Sequence, residues 1–593
     1  MSDIKELSTL VSKCGLEVKE ARSSNDAAAI EAAQAKFNDA KKALKAAQKA
    51  AKAASKKANA GKKKKAKKKV TGLGLGVKKS EDFAGWYTQV ITKAEMIEYY
   101  PDVSGCYILR PWSYSIWESI TKFFDTEIKE LGVENASFPI FVSKKALTAE
   151  EDHVDGFAAE VAWVTKSGSS ELKEPIAIRP TSETIIYPAF KKWIGSHRDL
   201  PIRVNQWCNV VRWEFKNPTP FIRTREFLWQ EGHSAFATQE EADEEVLDIL
   251  DLYARVYEEL LAVPVVKGRK SEKERFPGGF YTTTVEAFIP EAGRSVQGAT
   301  SHCLGTNFGK IFNISYEAAD GSKRREIPIQ NSWGITTRTI GVLTMVHGDD
   351  KGLVLPPRVA PHQVAIVWLY KSGDTQTEID ALADKAANIG KVLKKAGVRM
   401  KVDNRTDKTA GWKRNYWEQK GVPLRIDIGR AELDGGKVAM NRRDTGEVIE
   451  CKDEEVTDVV QKLLIKIQED MLDKARRERD ARISIVTKWE DFIAALDKGN
   501  MCLTPWCELI DSEVWVKNTS KEIYNTREAE RKKKAGEAVV EDDGKSLSGA
   551  AKTLCIPFAQ PEMPEGQLCF TSVEGSPGFG KKATAWCLWG RSY

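Results

Sequence analysis

The sequence predicts a multidomain α+β protein: an N-terminal helical hairpin, a central domain built around antiparallel strands, a compact α/β domain and a C-terminal α/β domain. Three observations predict this. An apolar run ending at Val210-Val211 is followed by a two-proline loop and a return through Arg223-Thr-Arg-Glu-Phe-Leu-Trp229, the pattern of two antiparallel strands. From Val364 to Ile428, strand-forming and helix-forming stretches alternate, which argues for a mostly parallel sheet. Residues 7–60 are rich in alanine and lysine, with high helix propensity. A chain of 593 residues has room for three or four such units.

Taken in order, Leu7–Ala60 is broken by Ser23-Ser-Asn-Asp26 into two helices, and Phe37 and Leu44 share one face of the second. Residues 61–80 form a linker, with the lysine run Gly61-Lys-Lys-Lys-Lys-Ala-Lys-Lys-Lys69 and the joint Gly72-Leu-Gly-Leu-Gly76. That glycine segment is not followed by the lysine and hydroxyl residue of a phosphate-binding loop. Residues 1–80 hold 21 lysines and arginines against 7 acidic residues, so the remainder of this +6 chain is net acidic. Such a run binds polyanions without sequence preference or serves as a solvated spacer. Ile116–Leu131 reads as an amphipathic helix leading to a strand, Phe138-Pro-Ile-Phe-Val142.

The α/β domain follows, with strands at Val364–Tyr370, Val398–Val402 and Pro423–Ile428, and helices at Ile379–Ala396 and Ala410–Lys420. The last segment carries a polar insertion, Asn525–Gly549, expected to be mobile. No run of about 18 apolar residues is present to span a bilayer, and Met1-Ser-Asp-Ile-Lys-Glu lacks an apolar signal core. Ten cysteines without tight even spacing read as reduced thiols. A cytoplasmic protein is expected.

The 212–231 hairpin carries the chemistry. Side chains on a strand repeat every second residue, so Arg212 and Glu214 point the same way. Arginines, carboxylates and aromatics on one face can neutralise a phosphate, read a purine edge and stack its ring. Any single Arg-x-Glu would be an ordinary salt-bridged surface pair; the cluster argues otherwise.

This hairpin resembles motif 2 of the class II aminoacyl-tRNA synthetases. Asn331-Ser-Trp-Gly-Ile-Thr-Thr-Arg-Thr-Ile-Gly341 resembles motif 3, and the 116–142 segment resembles motif 1. With Arg179-Pro-Thr-Ser-Glu183, Asn205-Gln-Trp-Cys-Asn209, Trp229-Gln-Glu-Gly-His233, Thr300-Ser-His302 and the terminal Gly590-Arg-Ser-Tyr593, the chain is similar to the prolyl-tRNA synthetases of eukaryotic and archaeal type. The resemblance implies an antiparallel catalytic domain over 81–353, an anticodon-binding domain over 354–475 and a C-terminal domain over 476–593. It also likens the hairpin of residues 1–60 to the WHEP domains appended to some eukaryotic synthetases.

In such an enzyme ATP activates L-proline as an adenylate, which acylates the 3′ end of tRNA(Pro). By resemblance, Arg212 bridges the proline carboxylate and the α-phosphate, and Arg338 holds the far end of the triphosphate. Arg223 and Thr224 contact the nucleotide, Glu214 accepts from the adenine amino group, and Phe227 stacks on the ring. Gln297, Thr300 and Thr336 match further nucleotide positions. Magnesium accompanies ATP, with Gln297 as its protein neighbour and Glu286 as a second candidate. Thr181 and Glu183 match the pair that binds the proline ammonium; Trp229, Glu231, His233, Phe276 and His302 match the pocket lining. Glu418, Lys420 and Arg425 match the anticodon-reading segment, although a solvated helix face would have the same composition.

Motif 1 makes the homodimer interface in this class, so a homodimer is implied. The lysine run is expected to bind tRNA nonspecifically or to engage a multisynthetase partner. Roughly 115 residues lie between Glu214 and Asn331, too few for a long editing domain plus the connecting strands. Many family members hold zinc on four C-terminal cysteines; here the matching positions are Cys507, Ser512, Ser576 and Gly578. One thiolate does not make a structural zinc site, so no zinc is expected. Cys502 reads as a buried strand thiol, and Trp506, Phe558, Phe570, Trp586 and Trp589 as core. The rival readings are a threonine enzyme, for which Cys303 beside His302 is not enough, and a non-catalytic tRNA-binding paralogue.

Overall fold

The computed structural model describes residues 9–19, 30–46, 74–151, 161–213, 217–371, 373–534 and 549–593. Residues 1–73 and 74–593 are separate compact units. In the first, helices span 9–19 and 30–46, with Cys14, Val18 and Ala40 buried and the Phe37 ring against Gly15. The Ser23–Asp26 break, the lysine run and Gly72 lie outside the described residues.

The second unit is organised by one long sheet. Its strands in the central domain are β1 (Glu134–Asn135), β2 (Ile202–Val211), β3 (Glu226–Phe236), β4 (Val265–Arg269), β5 (Tyr281–Ile289), β6 (Arg294–Gly305) and β7 (Ile329–Thr336). They lie in the order β1-β2-β3-β7-β6-β5-β4, and only β1 and β2 pair in parallel. Alternation along β3 decides what each face does. Gln230 accepts from Tyr253 and Ser234 donates to Glu245, both on helix Gln239–Arg255. Phe227, Trp229, Glu231 and His233 point to the other face, which is the wall of a cleft.

On the helical side, helix Pro111–Glu130 packs Phe124 flat on Tyr253 at 5.0 Å and edge-on to Trp333 at 6.1 Å. The proline at position 111 opens this helix, where its missing N–H costs no hydrogen bond. The expected strand over 138–142 starts only at Phe141. Pro139 has no N–H to pair, and the Phe138 and Pro139 carbonyls instead accept from Arg179 Nη1 at 2.8 and 3.3 Å.

In the α/β domain, β8 (Val364–Trp368) pairs in parallel with β9 (Met400–Asp403) and β10 (Leu424–Ile428), as the alternation predicts. The sheet is mixed rather than mostly parallel, because β11 (Lys437–Arg442) and β12 (Val448–Lys452) add an antiparallel hairpin. In the C-terminal segment, β13 (Ile483–Ile485), β14 (Met501–Trp506), β15 (Lys552–Pro557) and β16 (Ala585–Gly590) do not form a sheet of their own. They continue the long central sheet in the order β4-β15-β16-β14-β13. Residues 525–534 of the expected mobile insertion belong to helix Ile510–Lys534, and 535–548 lie outside the described residues. Phe558 is 46% exposed rather than core, because it follows the end of β15 and only its N–H pairs, with Lys267 O. Cys502 is fully buried in β14. No helix among the described residues is long and apolar enough to cross a membrane.

Candidate active site

Strand register assembles the cleft. Trp229, Glu231 and His233 on β3 face Thr336, Gly334 and Ser332 on β7. Ser332 and Gly334 face His302 and Thr300 on β6, and His302 faces Thr282 on β5. Because the side-chain period is two, all of these open onto the same face. Helix Arg338–His347 starts where β7 ends; a Cβ at Gly341 would fall 2.7 Å from Ile222, so glycine lets the helix lie directly under the 221–222 turn.

The resulting cavity, of about 320 Å³, gathers Thr181, Glu183, Arg212, Thr224, Phe227, Trp229, Glu231, His233, Phe276, Gln297, Thr300, His302, Thr336 and Arg338. Arg223 and Glu286 line an adjoining cavity of about 190 Å³ that shares Gln297 and Arg338 with it. Glu214 lies outside the described residues.

One end is a buried polar network. Glu231 accepts from Ser182, from Gln206 Nε2 at 2.5 Å and from His233 Nε2 at 3.2 Å, while Tyr187 Oη lies 3.1 Å from His233 Nδ1. Burial pushes the Glu231 carboxyl up, but His233, Ser182 and Gln206 outweigh it and hold the carboxyl below its ordinary range. Thr181 donates to the buried Glu183 carboxylate. Burial, helped by nearby His233 and Lys270, lowers the His302 imidazole to about 3, so it is neutral at physiological pH. Thr282 Oγ1 lies 2.8 Å from its Nδ1, and the Phe276 ring packs on it at 4.8 Å. Behind Trp229, the indole N–H donates to Cys208 Sγ at 3.1 Å; burial and then Glu231 push that thiol up to about 12.

The other end is cationic. Arg212 donates from Nε to Pro180 O at 3.0 Å, and its guanidinium lies 5.7 Å from the Phe227 ring and 5.4 Å from Trp229. Arg338 donates to Ile222 O at 3.3 Å and to Gln297 O at 3.1 Å. Phe221 holds a left-handed φ of 64°, rare for a bulky residue, in the turn that presents the Ile222 carbonyl. Burial lowers the pKa of Arg338; Tyr257 opposes this, and Arg212 and Arg223 lower it further. Arginine stays charged regardless, so like charges gather across the two adjoining cavities, Arg212 and Arg338 in the cleft and Arg223 and Arg338 in the one beside it.

Several expected roles meet other partners. Glu286 does not fit a metal ligand: Lys270 Nζ is 2.7 Å from its Oε1, and Thr284 also donates to it. Lys420 is 4% exposed, with Nζ 2.7 Å from Glu95 Oε2 and the Trp112 ring at 4.5 Å; it cannot present itself to a nucleotide in this arrangement. Glu418 and Arg425 do open onto a cavity of about 100 Å³, where Glu418 pairs with Lys351 at 3.0 Å and Arg425 with Asp427 at 2.9 Å. The cleft also includes Glu274, Arg275 and Ser332, which sequence reasoning missed. Their signal was the charged run Lys270-Ser-Glu-Lys-Glu-Arg275 ahead of Phe276, and the alternation that puts Ser332 in register with His302.

At the four zinc-matching positions the donor set does not fit zinc. Ser512 Oγ is 3.1 Å from Thr571 Oγ1, Ser576 donates to Thr571 O, and a Cβ at Gly578 would overlap Thr571 Oγ1. Thr571 fills the cradle, and Cys569 Sγ is 3.1 Å from its hydroxyl. Hydrogen bonding to Cys569 holds the Cys507 thiol below its ordinary range. Among the described residues no cluster of three or more His, Cys, Asp or Glu could hold a metal ion.

Comparison with known proteins agrees with this architecture. Residues 163–347 match the tRNA synthetase class II core domain (G, H, P, S and T), 363–463 the anticodon binding domain, and 489–593 the prolyl-tRNA synthetase C-terminal domain. The chain is 55% identical over 531 residues to the cytoplasmic proline–tRNA ligase of Arabidopsis thaliana, covering 89% of this chain and 93% of that one. It is 47% identical over 521 residues to the proline–tRNA ligase of Encephalitozoon cuniculi, covering 88% and 99%. Against the bifunctional glutamate/proline–tRNA ligase of Cricetulus griseus, identity is 53% over 529 residues, 89% of this chain but 33% of that protein. The chain belongs to the class II prolyl-tRNA synthetase family.

Proposed function

We propose that this chain is a proline–tRNA ligase that forms prolyl-adenylate from L-proline and ATP and transfers the prolyl group to tRNA(Pro). The observation that carries this reading is one cleft with a neutral-histidine and carboxylate pocket at one end and converging arginines at the other. Glu183 and Thr181 take the secondary ammonium, and Trp229, Phe276 and His302 enclose the ring. Arg212 aligns the carboxylate on the α-phosphate. Holding both in attack geometry and neutralising the charge that develops are the main contributions asked of the protein. Arg338, Arg223 and Thr224 hold the nucleotide, Phe227 stacks on adenine, and Thr336, Thr300 and Gln297 line its path. Magnesium, when bound, shields the phosphates; Gln297 is the protein group nearest that role.

The chain between β3 and β7 is taken up by helix Gln239–Arg255 with its extension Val256–Leu260, β4, β5, β6, the short helix Asn307–Ile311 and a short hairpin, which supports the absence of an internal editing domain. The Thr571-filled cradle supports a zinc-free C-terminal domain. Tyr99, Tyr100, Ile108 and Tyr114, all more than two-fifths exposed beside helix Pro111–Glu130, support a homodimer. The similarity to a cytoplasmic enzyme supports a cytoplasmic location, and the lysine-rich N-terminal region is assigned to tRNA capture or a multisynthetase contact.

Amino-acid-dependent ATP–pyrophosphate exchange across all twenty amino acids tests the reading. Exchange with proline, alone or with weak alanine, is the expected result. Exchange with threonine overturns the pocket assignment, and no exchange with tRNA still bound makes the chain a non-catalytic binder.

A further inference from the structure

The helix that begins with Arg338 runs into a turn locked to the anticodon-binding domain. Asp349 stands two residues beyond its end, and Arg443 grips it with a two-pronged ion pair, Nη1 at 2.7 Å and Nη2 at 2.6 Å. Asp349 Oδ1 also accepts the N–H groups of Lys351 at 2.9 Å and Gly352 at 3.1 Å. Its carbonyl accepts the Trp86 indole N–H at 2.8 Å. Such forked arginine–carboxylate pairs fix orientation as well as position. Arg443 is 9% exposed, and its Nε donates to Glu418 O at 2.9 Å. Backbone bonds continue the clasp: Leu353 N to Gln419 O and Leu355 N to Gly421 O, both 3.0 Å. Gly352, at φ +139°, lies so close that a Cβ would meet Gln419 Cα at 2.7 Å.

Arg443 also lines the cavity shared by Glu418 and Arg425. A nucleotide in that cavity would meet Glu418, Arg425 and the same guanidinium that holds Asp349. The ten-residue helix from Arg338 to His347 is an element of about 15 Å.

We propose that the Arg443–Asp349 clasp is a positioning device that couples nucleotide occupancy of the Glu418–Arg425 cavity to the placement of Arg338 in the cleft. The inference rests on the proline–tRNA ligase reading. Asp349 touches neither cavity, so its effect can only be relayed through its neighbours.

The test compares wild type, Asp349→Asn and Asp349→Glu in the full-length protein, with a tRNA(Pro) transcript and one of substituted anticodon. Asp349→Asn is expected to leave tRNA-free, proline-dependent exchange within about twofold and to keep the KM for tRNA. It should lower the aminoacylation kcat on the native transcript about fivefold or more, within the usual span of coupling effects, towards the kcat on the substituted one. Asp349→Glu, which keeps the charge but not the fork, should recover part of that loss. An unchanged kcat overturns the proposal. So does a parallel fall in exchange and melting temperature, which marks a purely structural pair. A change in KM alone also overturns it, by assigning the clasp to binding. Absence of exchange in the wild type would instead overturn the ligase reading.

Discussion

At the Glu231 end of the cleft the protein answers its own polar groups, whereas at the Arg338 end it gathers charges of one sign. Glu231, Ser182, Gln206, His233 and Tyr187 form a hydrogen-bonded network deep in the fold. Arg212 and Arg338 are held instead by backbone carbonyls, Arg212 also beside the Phe227 and Trp229 rings; burial lowers the pKa of Arg223 and Arg338, and at Arg338 the neighbouring Arg212 and Arg223 add to it. Buried polar groups that satisfy one another rigidify a site, which suits a small stiff substrate such as proline. Like charges held together store an unfavourable interaction that a polyanion relieves, which suits ATP. Under the proposed reading, proline would meet the end whose polar groups already have partners, and ATP the end that gathers positive charge.

The largest expected effect falls on the cationic end. Arg212→Ala should lower proline-dependent exchange by about 10²–10³, the usual loss when one donor to a developing charge is removed, while the melting temperature changes little. Surviving activity would show that Arg212 is not the central cation. At the opposite end the cost should appear in stability. Glu231→Ala leaves Ser182, Gln206 and His233 without their shared acceptor, and urea unfolding should report a loss of about 3 kcal/mol. A neutral result would mean that the network is not the rigid element the contrast requires.

The third expected effect is a pH dependence. His302 has a folded pKa of about 3 against 6.5 unfolded. A histidine depressed in this way contributes stability that is present above its unfolded pKa and lost as the pH falls towards the folded one. The slope is about 1.4 kcal/mol per pH unit for one proton. Unfolding midpoints of His302→Asn should therefore fall less steeply than wild type between about pH 6.5 and about pH 4. Equal slopes would remove His302 from the buried neutral set.

Phe227, Trp229, Glu231 and His233 were legible as site residues through the family resemblance, and the structure turns all four into the cleft. The order of the class II motifs was legible as well, because each depends on local residue types at fixed spacing. The proline in 138–142 could have warned that the strand would start late. Nothing local, however, marked Lys420 as an interdomain strut: its surroundings in sequence suit a nucleotide, and only packing brings Glu95 and Trp112 to it.

By itself, then, the sequence determined the elements, the family and the chemistry available at the cleft, since periodicity and motif spacing are properties of neighbouring residues. Tertiary structure alone decided which charges meet. It joined β15 to β4, so that the C-terminal segment extends the catalytic sheet, and it drew Thr571 into the zinc-matching cradle. It also set Arg443 on Asp349, 94 residues away in the chain. The physical reason is that strand pairing and ion pairing between distant segments depend on how chain segments pack, and local propensity carries no record of that partner.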